Sequence, residues 1–485
     1  MCAVLVLVAA PRAAADAKRV DGDAIVQQLK EGHSFVGEGV LIDGPLDLSV
    51  GDKDVIGRVF KCRGCTFAGP VSAPDVTFDR TVDLSGSTFE DTVDFTGATF
   101  NAPVLFGAKG DRAVEFDERV VFSLAVFNEY TSFSQAEFIE EAVFRTARFA
   151  DTTFAAVDFD KPATFEGASF RGAAIFNGAD FTDPVTFDDA DFRRRTDFST
   201  ATFEEGGAFT SAQFGNGASF LAAEFDAPAT RDGEAARFDG AGSAGDLDFT
   251  FASFESGSKS RNLLVLNDVV CGGSLVFRDA TFEKGNPIAM NRLKVADLVF
   301  DVDVVPQIND EDDRQEALRT IESSAKERGD IGEANDAHYA LNIRRSASYG
   351  PVGKALDLLF YRWAAGYLVR PFQPLFVLVV LAAVVAVFRY LRRRREEGTV
   401  DRHSHGRVRS LGGRVGGWCA GLVTTFLDTI ARAGPRGGSA EKTDDDATAL
   451  FRRVEIIVYR LLLVCALIGL ANSNPTLRQM VDTLL

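Results

Sequence analysis

Phenylalanine recurs along this chain at spacings that alternate five and six. The series runs from Phe78 through Phe89, Phe95, Phe100, Phe106 and Phe116 to Phe122, Phe127, Phe133, Phe138, Phe144, Phe149, Phe154, Phe159, Phe165, Phe170, Phe176, Phe181, Phe187, Phe192, Phe198, Phe203, and on to Phe209, Phe214, Phe220 and Phe225. Two positions before each sits a small or β-branched residue, such as Ala98, Ala125, Ala147 and Ala168, or Val93, Val120, Thr131 and Val185. A helix would place its apolar residues at i, i+3, i+4 and i+7, and a flat strand would alternate. Five and six fit neither. They fit a chain that runs extended briefly, turns a corner and repeats, with the Phe and the small residue before it pointing inward. The Asp, Thr, Ser, Gly and Asn residues between them suit corners and solvent. A short fixed period sustained this far marks a solenoid, because each unit buries its apolar side only against its neighbours.

The units "GATF", "GASF", "GADF" and "DADF" resemble the pentapeptide-repeat family, over roughly residues 60–301. The resemblance implies a mainly β fold, a right-handed quadrilateral β-helix with the large residue central on each face. The chain departs from the family by inserting one residue in every second unit. The double unit of eleven then gives about 22 residues per coil, with two of the four corners one residue longer. At about 4.8 Å per coil, Phe78 to Phe225 would make roughly seven coils and about 33 Å of rod. A coil of eleven would force two phenylalanines to share a very thin core.

The flanks read differently. Residues 1–17 have the apolar and small-residue stretches of an export signal. Residues 18–59 form a capping helix (started by Asp21 or Asp23, striped by Ile25, Val26 and Leu29, ended by Gly32) and the first coil. A Gly-, Ala- and Asp-rich insertion is expected to loop out near 226–246, with the rhythm returning at Phe249. Residues 310–346 have the spacing of a helical hairpin, and residues 351–370 that of an interfacial helix rich in aromatics. Residues 371–391 are apolar enough to span a membrane, and Arg392, Arg393, Arg394 and Arg395 would hold that end in the cytoplasm. A basic cytoplasmic segment 392–453, semi-apolar over 411–434, leads to a second span at 454–471 and a short amphipathic helix at 476–485. The two-span layout resembles pentapeptide-repeat membrane proteins with an ion-channel-like module. The chain has "LVTTFLDTIARAG" where a selectivity loop would carry glycines and a run of carbonyls, so a degenerate pore is expected.

Composition narrows the function. The formal net charge is −18, and of 52 basic residues only 12 are lysine. Such a balance suits either a high-salt milieu or a GC-rich genome. It disfavours nucleic-acid binding, which needs a basic stripe. Cys62 and Cys65 fall in the large and small inward slots before Phe67. They read as core residues rather than half a zinc site or a redox pair, and no disulfide framework is expected. The histidines, His33, His338, His403 and His405, sit in no nucleophile or metal motif. The expectation is therefore a protein that is not an enzyme and uses no cofactor or metal. Its solenoid would offer a binding or scaffold surface outside the cell membrane, to lipid and to a protein or envelope ligand, with oligomers possible through the spans. The other readings are a channel-like sensor and an acidic DNA mimic.

Overall fold

The five-residue spacings close as tight turns. In Phe95–Thr96–Gly97–Ala98 the Ala98 N–H donates to the Phe95 carbonyl at 3.0 Å, and Gly97 takes φ +69°. A positive φ at the third residue defines a type II turn. The intervening corners are one residue longer and several hold proline, as at Pro103, Pro162 and Pro184. Between corners lie two-residue strands, one side chain inward and one outward. The coordinates are a computed structural model that describes residues 18–49, 55–227, 234–256 and 262–358, with isolated positions between 376 and 384 and at 460 and 464.

The result is a parallel β-solenoid of about 12 turns. Each coil has four faces. Taking one coil, face I carries Thr88–Phe89, face II Val93–Asp94, face III Thr99–Phe100 and face IV Val104–Leu105. Strands pair with those of the next coil in parallel register, Thr66 with Thr88 and Thr77 with Thr99, a step of 22. Face I is a 12-stranded ladder and face II an 11-stranded one. Faces III and IV join into one sheet through the longer strands Val270–Val276 and Lys294–Val299, which run along both.

The core is made of stacked rings. Phe138, Phe159, Phe181 and Phe203 form the column of face I, and Phe122, Phe144, Phe165 and Phe187 that of face II. Phe127, Phe149, Phe170 and Phe192 belong to face III, and Phe133, Phe154, Phe176 and Phe198 to face IV. All are at most 1% exposed. Within a column the rings lie nearly parallel, as in Phe144 over Phe165 at 4.7 Å. That distance is the strand spacing itself, so offset stacking comes at no cost in backbone geometry. Columns II and IV meet edge to face across the axis, Phe144 against Phe154 at 5.4 Å and 83°.

The N-terminal end is covered by helix α1, Gly22–Lys30, whose first turn is capped by the Asp21 carboxylate and whose Ile25, Val26 and Leu29 are buried. Two helices, α2 (Glu311–Arg328) and α3 (Ile331–Ala347), follow the solenoid. They are joined at Gly329, φ +77°, and Asp330 caps α3 through the Glu333 N–H. The chain divides into two units at Thr320, so the solenoid lies wholly in the first.

One expectation is narrowed and two are corrected. Of the insertion expected near 226–246, residues 236–246 belong to the ladders: Ala236–Arg237 pairs with Gly207–Ala208, and Gly242–Ser243 with Gln213–Phe214, at a step of 29 where the preceding coil steps by 22, so seven extra residues fall between Phe225 and Ala236. The rhythm resumes at Phe238, stacked 4.8 Å from Phe209, and is hidden because seven extra residues precede it and face III then carries Ser243 where a Phe is expected. Secondly, Cys62 and Cys65 are buried as expected but are joined by a disulfide. They occupy the first and last positions of a corner turn, whose inward directions converge. Thirdly, the carboxylates are not all solvated: Asp83 is 2% exposed and Asp180 is half-buried. Among the described residues no helix is long and apolar enough to cross a membrane. The expected signal at 1–17, the spans at 371–391 and 454–471 and the segment 392–453 with its four arginines lie, but for isolated positions, outside the described residues. Of the expected interfacial helix, Pro351–Leu356 is helical.

Candidate binding faces of the solenoid

With the rings filling the axis, chemistry is left to the outward positions and the corners. The sixteen ladder phenylalanines bring no functional groups together. What they do is fix the outward neighbours of each ring in columns at the coil spacing.

Face I carries the strongest column. The outward residues preceding successive rings are Glu115, Glu137, Asp158 and Asp180, paired strand to strand. Asp117 and Asp160 follow the rings in the same column set. From Thr88 to Glu255 no strand position of this face is a lysine or arginine. Burial against the sheet, then the neighbouring carboxylates Asp180 and Asp160, raise the Asp158 pKa above its ordinary value. Glu137, Asp180, Asp117 and Asp226 are raised in the same way, burial first and like charge second. Asp180 Oδ1 is buried without a hydrogen-bond partner. Like charges directly opposed across a ladder are destabilising, so this face holds repulsion that the fold tolerates.

Face III lies opposite face I, two corners away in the coil, and it reverses the sign over part of its length. Arg148, Arg171 and Arg193 are exposed on successive coils, with Arg194 and Arg195 on the adjoining corner. Arg193 pairs with Asp191 at 2.8 Å, and Arg171 donates to the Asn128 side-chain oxygen at 3.1 Å. Arg148, Arg194 and Arg195 make no ion pair with any described residue. Above and below, the face is neutral, with Thr99, Asn101, Val126, Asn128, Gln213 and Gly215.

A third feature gathers at the N-terminal corners. Residues 109–113 depart from the coil, closed by a bridge between Lys109 and Arg112. Lys109 Nζ reaches Glu38 at 2.5 Å, and Arg112 donates to the Gly64 carbonyl and the Thr88 hydroxyl, each at 3.1 Å. The hydrogen bond from Lys109 and its charge hold the Glu38 pKa low. Beside this strap lies the Cys62–Cys65 disulfide. The equivalent corner of the next coil closes directly, Ser87 N–H to the Leu84 carbonyl at 3.2 Å. At the cystine corner the Ser87 hydroxyl intervenes. It accepts from the Cys65 N–H at 3.0 Å and donates to the Cys62 carbonyl at 2.8 Å. Asp83 is held below the usual carboxylate range. Burial alone would raise it, but hydrogen bonds from Arg63 and Ser85 outweigh that.

Among the described residues no three or more His, Cys, Asp or Glu side chains converge as a metal site would require. The acidic column of face I is a ladder rather than a cage. Sequence reasoning placed the rings but missed the arginine face and the strap. "FRRRTDF" and the ten-residue gap between Phe106 and Phe116 were the available signals.

A family model for pentapeptide repeats (9 copies) matches residues 63–108 and 154–202. The chain thus carries pentapeptide repeats, in a phenylalanine-rich form. No curated protein matches it, and no solved structure does.

Proposed function

We propose that this protein is a non-enzymatic scaffold of the cell envelope, exported and anchored in the membrane by its C-terminal segments, with the solenoid outside. The observation that carries the scaffold reading is the column structure of the four faces. Chemistry is displayed in rows at the coil spacing on flat outer faces, an arrangement suited to multivalent contact. Export draws on the signal-like residues 1–17 and the arginine run 392–395. The buried Cys62–Cys65 disulfide adds support, because such bonds persist in oxidising compartments. The acidic face argues against a nucleic-acid partner.

Thiol labelling in intact cells tests the placement. A cysteine at Asn177, an exposed corner of the rod, should react with a membrane-impermeant maleimide, while one at Ser404 should react only after lysis. The reverse pattern would put the rod in the cytoplasm and favour an acidic mimic of DNA. Labelling at neither position until lysis would remove the anchor from the reading.

A further inference from the structure

The signs on faces I and III match coil by coil. Glu137 and Arg148 belong to one coil, Asp158 and Arg171 to the next, Asp180 and Arg193 to the one after. Each of these coils therefore shows a carboxylate on one side and an arginine on the opposite side, once per turn. We propose that the solenoids associate side by side, face III of one copy against face I of the next, parallel and in register.

Geometry favours a second copy over other acidic partners. The carboxylates and the arginines both recur once per coil, at a strand spacing of about 4.8 Å, with Arg171 and Arg193 following their rings in one column and Arg148 preceding its ring in the adjoining one, in register with Ser169 and Asp191. A rod shifted sideways without rotation brings the arginine patch against the carboxylate column at a matching repeat along the axis. A flexible polyanion has no such fixed period. The acidic column extends to Glu115 below and, past Thr202, to Glu224 above, whereas the arginines cover three coils flanked by neutral residues. Face III therefore sets the register. The carboxylates already on face III, Asp151 and Asp191, leave the patch cationic: Asp151 accepts a hydrogen bond from the Ala173 N–H, and Asp191 pairs with Arg193 alone of the five arginines. Contact also places countercharge on the crowded carboxylates of face I. Because the two patches differ and the operation is a translation, the contact does not close into a dimer but propagates into rows. Parallel rods are what a common membrane plane would present, although the contact itself does not depend on which side of a membrane the rod occupies.

The test is sedimentation velocity of the full-length protein in detergent micelles. Self-association is expected at about 20 mM salt and should weaken at least about tenfold by about 500 mM, since exposed charge pairs are screened. R148E/R171E/R193E makes both faces acidic and E137K/D158K/D180K makes both basic. Each alone should sediment as the smallest species, and an equimolar mixture should recover association. If either triple variant fails to fold by circular dichroism, R194E/R195E, at an exposed corner outside the strands, replaces it and should weaken association at low salt. A wild type that stays monomeric at every salt concentration, variants that associate as the wild type does, or a mixture that fails to associate would each overturn the proposal. Flotation of a monomeric wild type with phosphatidylglycerol vesicles, abolished by R148E/R171E/R193E, would overturn it in favour of a lipid partner for face III. None of these outcomes alters the thiol-labelling result, so the envelope reading stands or falls separately.

Discussion

Phe170 and Asp180 lie on opposite faces, ten residues apart along the chain, and they should respond oppositely to substitution. Phe170 is fully buried, stacked on Phe149 at 5.0 Å and Phe192 at 4.8 Å, with the edge of Phe176 at 5.8 Å. Truncation to alanine opens a cavity that the flanking rings cannot fill, because their backbones are pinned by the ladder. A loss of about 3–5 kcal/mol is expected. Phe170→Asp adds a buried carboxylate with no partner, which exceeds that figure and breaks the coil. At Asp180 the sign reverses. Its Oδ1 is unpartnered, and burial followed by Asp160 raises its pKa. Asp180→Ala should be neutral or stabilise by up to about 1 kcal/mol, the scale of one like-charge cross-strand contact. A solenoid unfolds as linked neighbours rather than as one block, so the readout is urea unfolding by far-UV circular dichroism together with limited proteolysis. Phe170→Asp should open new cleavage sites between residues 140 and 200 at urea concentrations where the wild type resists. Equal midpoints and equal cleavage for Phe170→Asp and Asp180→Ala would refute the inward assignment of the rings and the account of face I.

Three further outcomes follow from single corners and from the carboxylates. Ser87→Ala should cost about 2 kcal/mol with the disulfide intact, since the Cys65 N–H and Cys62 carbonyl lose their shared partner, and less in a C62A/C65A background where the turn can close directly; equal costs in denaturant melts of both backgrounds would contradict this. Thr146→Gly removes a β-branched residue from φ +54° and should shift the midpoint upward by no more than about 1 kcal/mol, the strain relief being partly offset by glycine's chain entropy, whereas Thr164→Gly, in a regular strand, should lower it. The raised folded-state pKa values of Glu137, Asp158 and Asp180 mean that the native state binds protons before the unfolded chain does, so stability should increase as pH falls from 7 toward their folded pKa values; it should turn over below the ordinary carboxylate range, where Asp83, held low by Arg63 and Ser85, protonates. A melting temperature that only falls between pH 7 and pH 5 would count against the repulsive ladder.

The rings were legible in the sequence because burial and period coincide. A side chain that must stack on its copy one coil away recurs at a fixed interval, and no other use of phenylalanine does so. The corner types were legible for a related reason. Most five-residue spacings close through a residue with a positive φ, supplied by glycine at Gly97, Gly167 and Gly178 and tolerated at Leu124, Thr146 and Thr200, Phe149 to Phe154 being an exception. Phe238 escaped because seven extra residues separate it from Phe225 beyond the usual spacing, and because its neighbour column holds Ser243, which a period of large residues cannot register. The disulfide escaped because the slot pattern placed each cysteine inward without showing that the two slots meet at one corner.

The faces were illegible for a different reason. Outward residues obey no packing constraint, so their period is weak, and nothing in the linear chain says which corners share a side. "FRRRTDF" reads as a basic knot in an acidic protein until the four-face coil places Arg193 on the face opposite Asp180. A net charge of −18 then misleads if it is spread evenly over the surface, because the coils from Glu137 to Arg195 are polar across their width, acidic on one side and cationic on the other. Net charge governs repulsion between rods at a distance. Contact is governed by the local pattern, which acts within a Debye length of about 10 Å at moderate salt. A rod of this kind can therefore repel its copies when dilute at low ionic strength and still hold them once the faces meet in register. For that reason the charge-reversed mixture, which restores the pattern while leaving the average charge between those of its two members, separates the two effects where a salt titration alone would not.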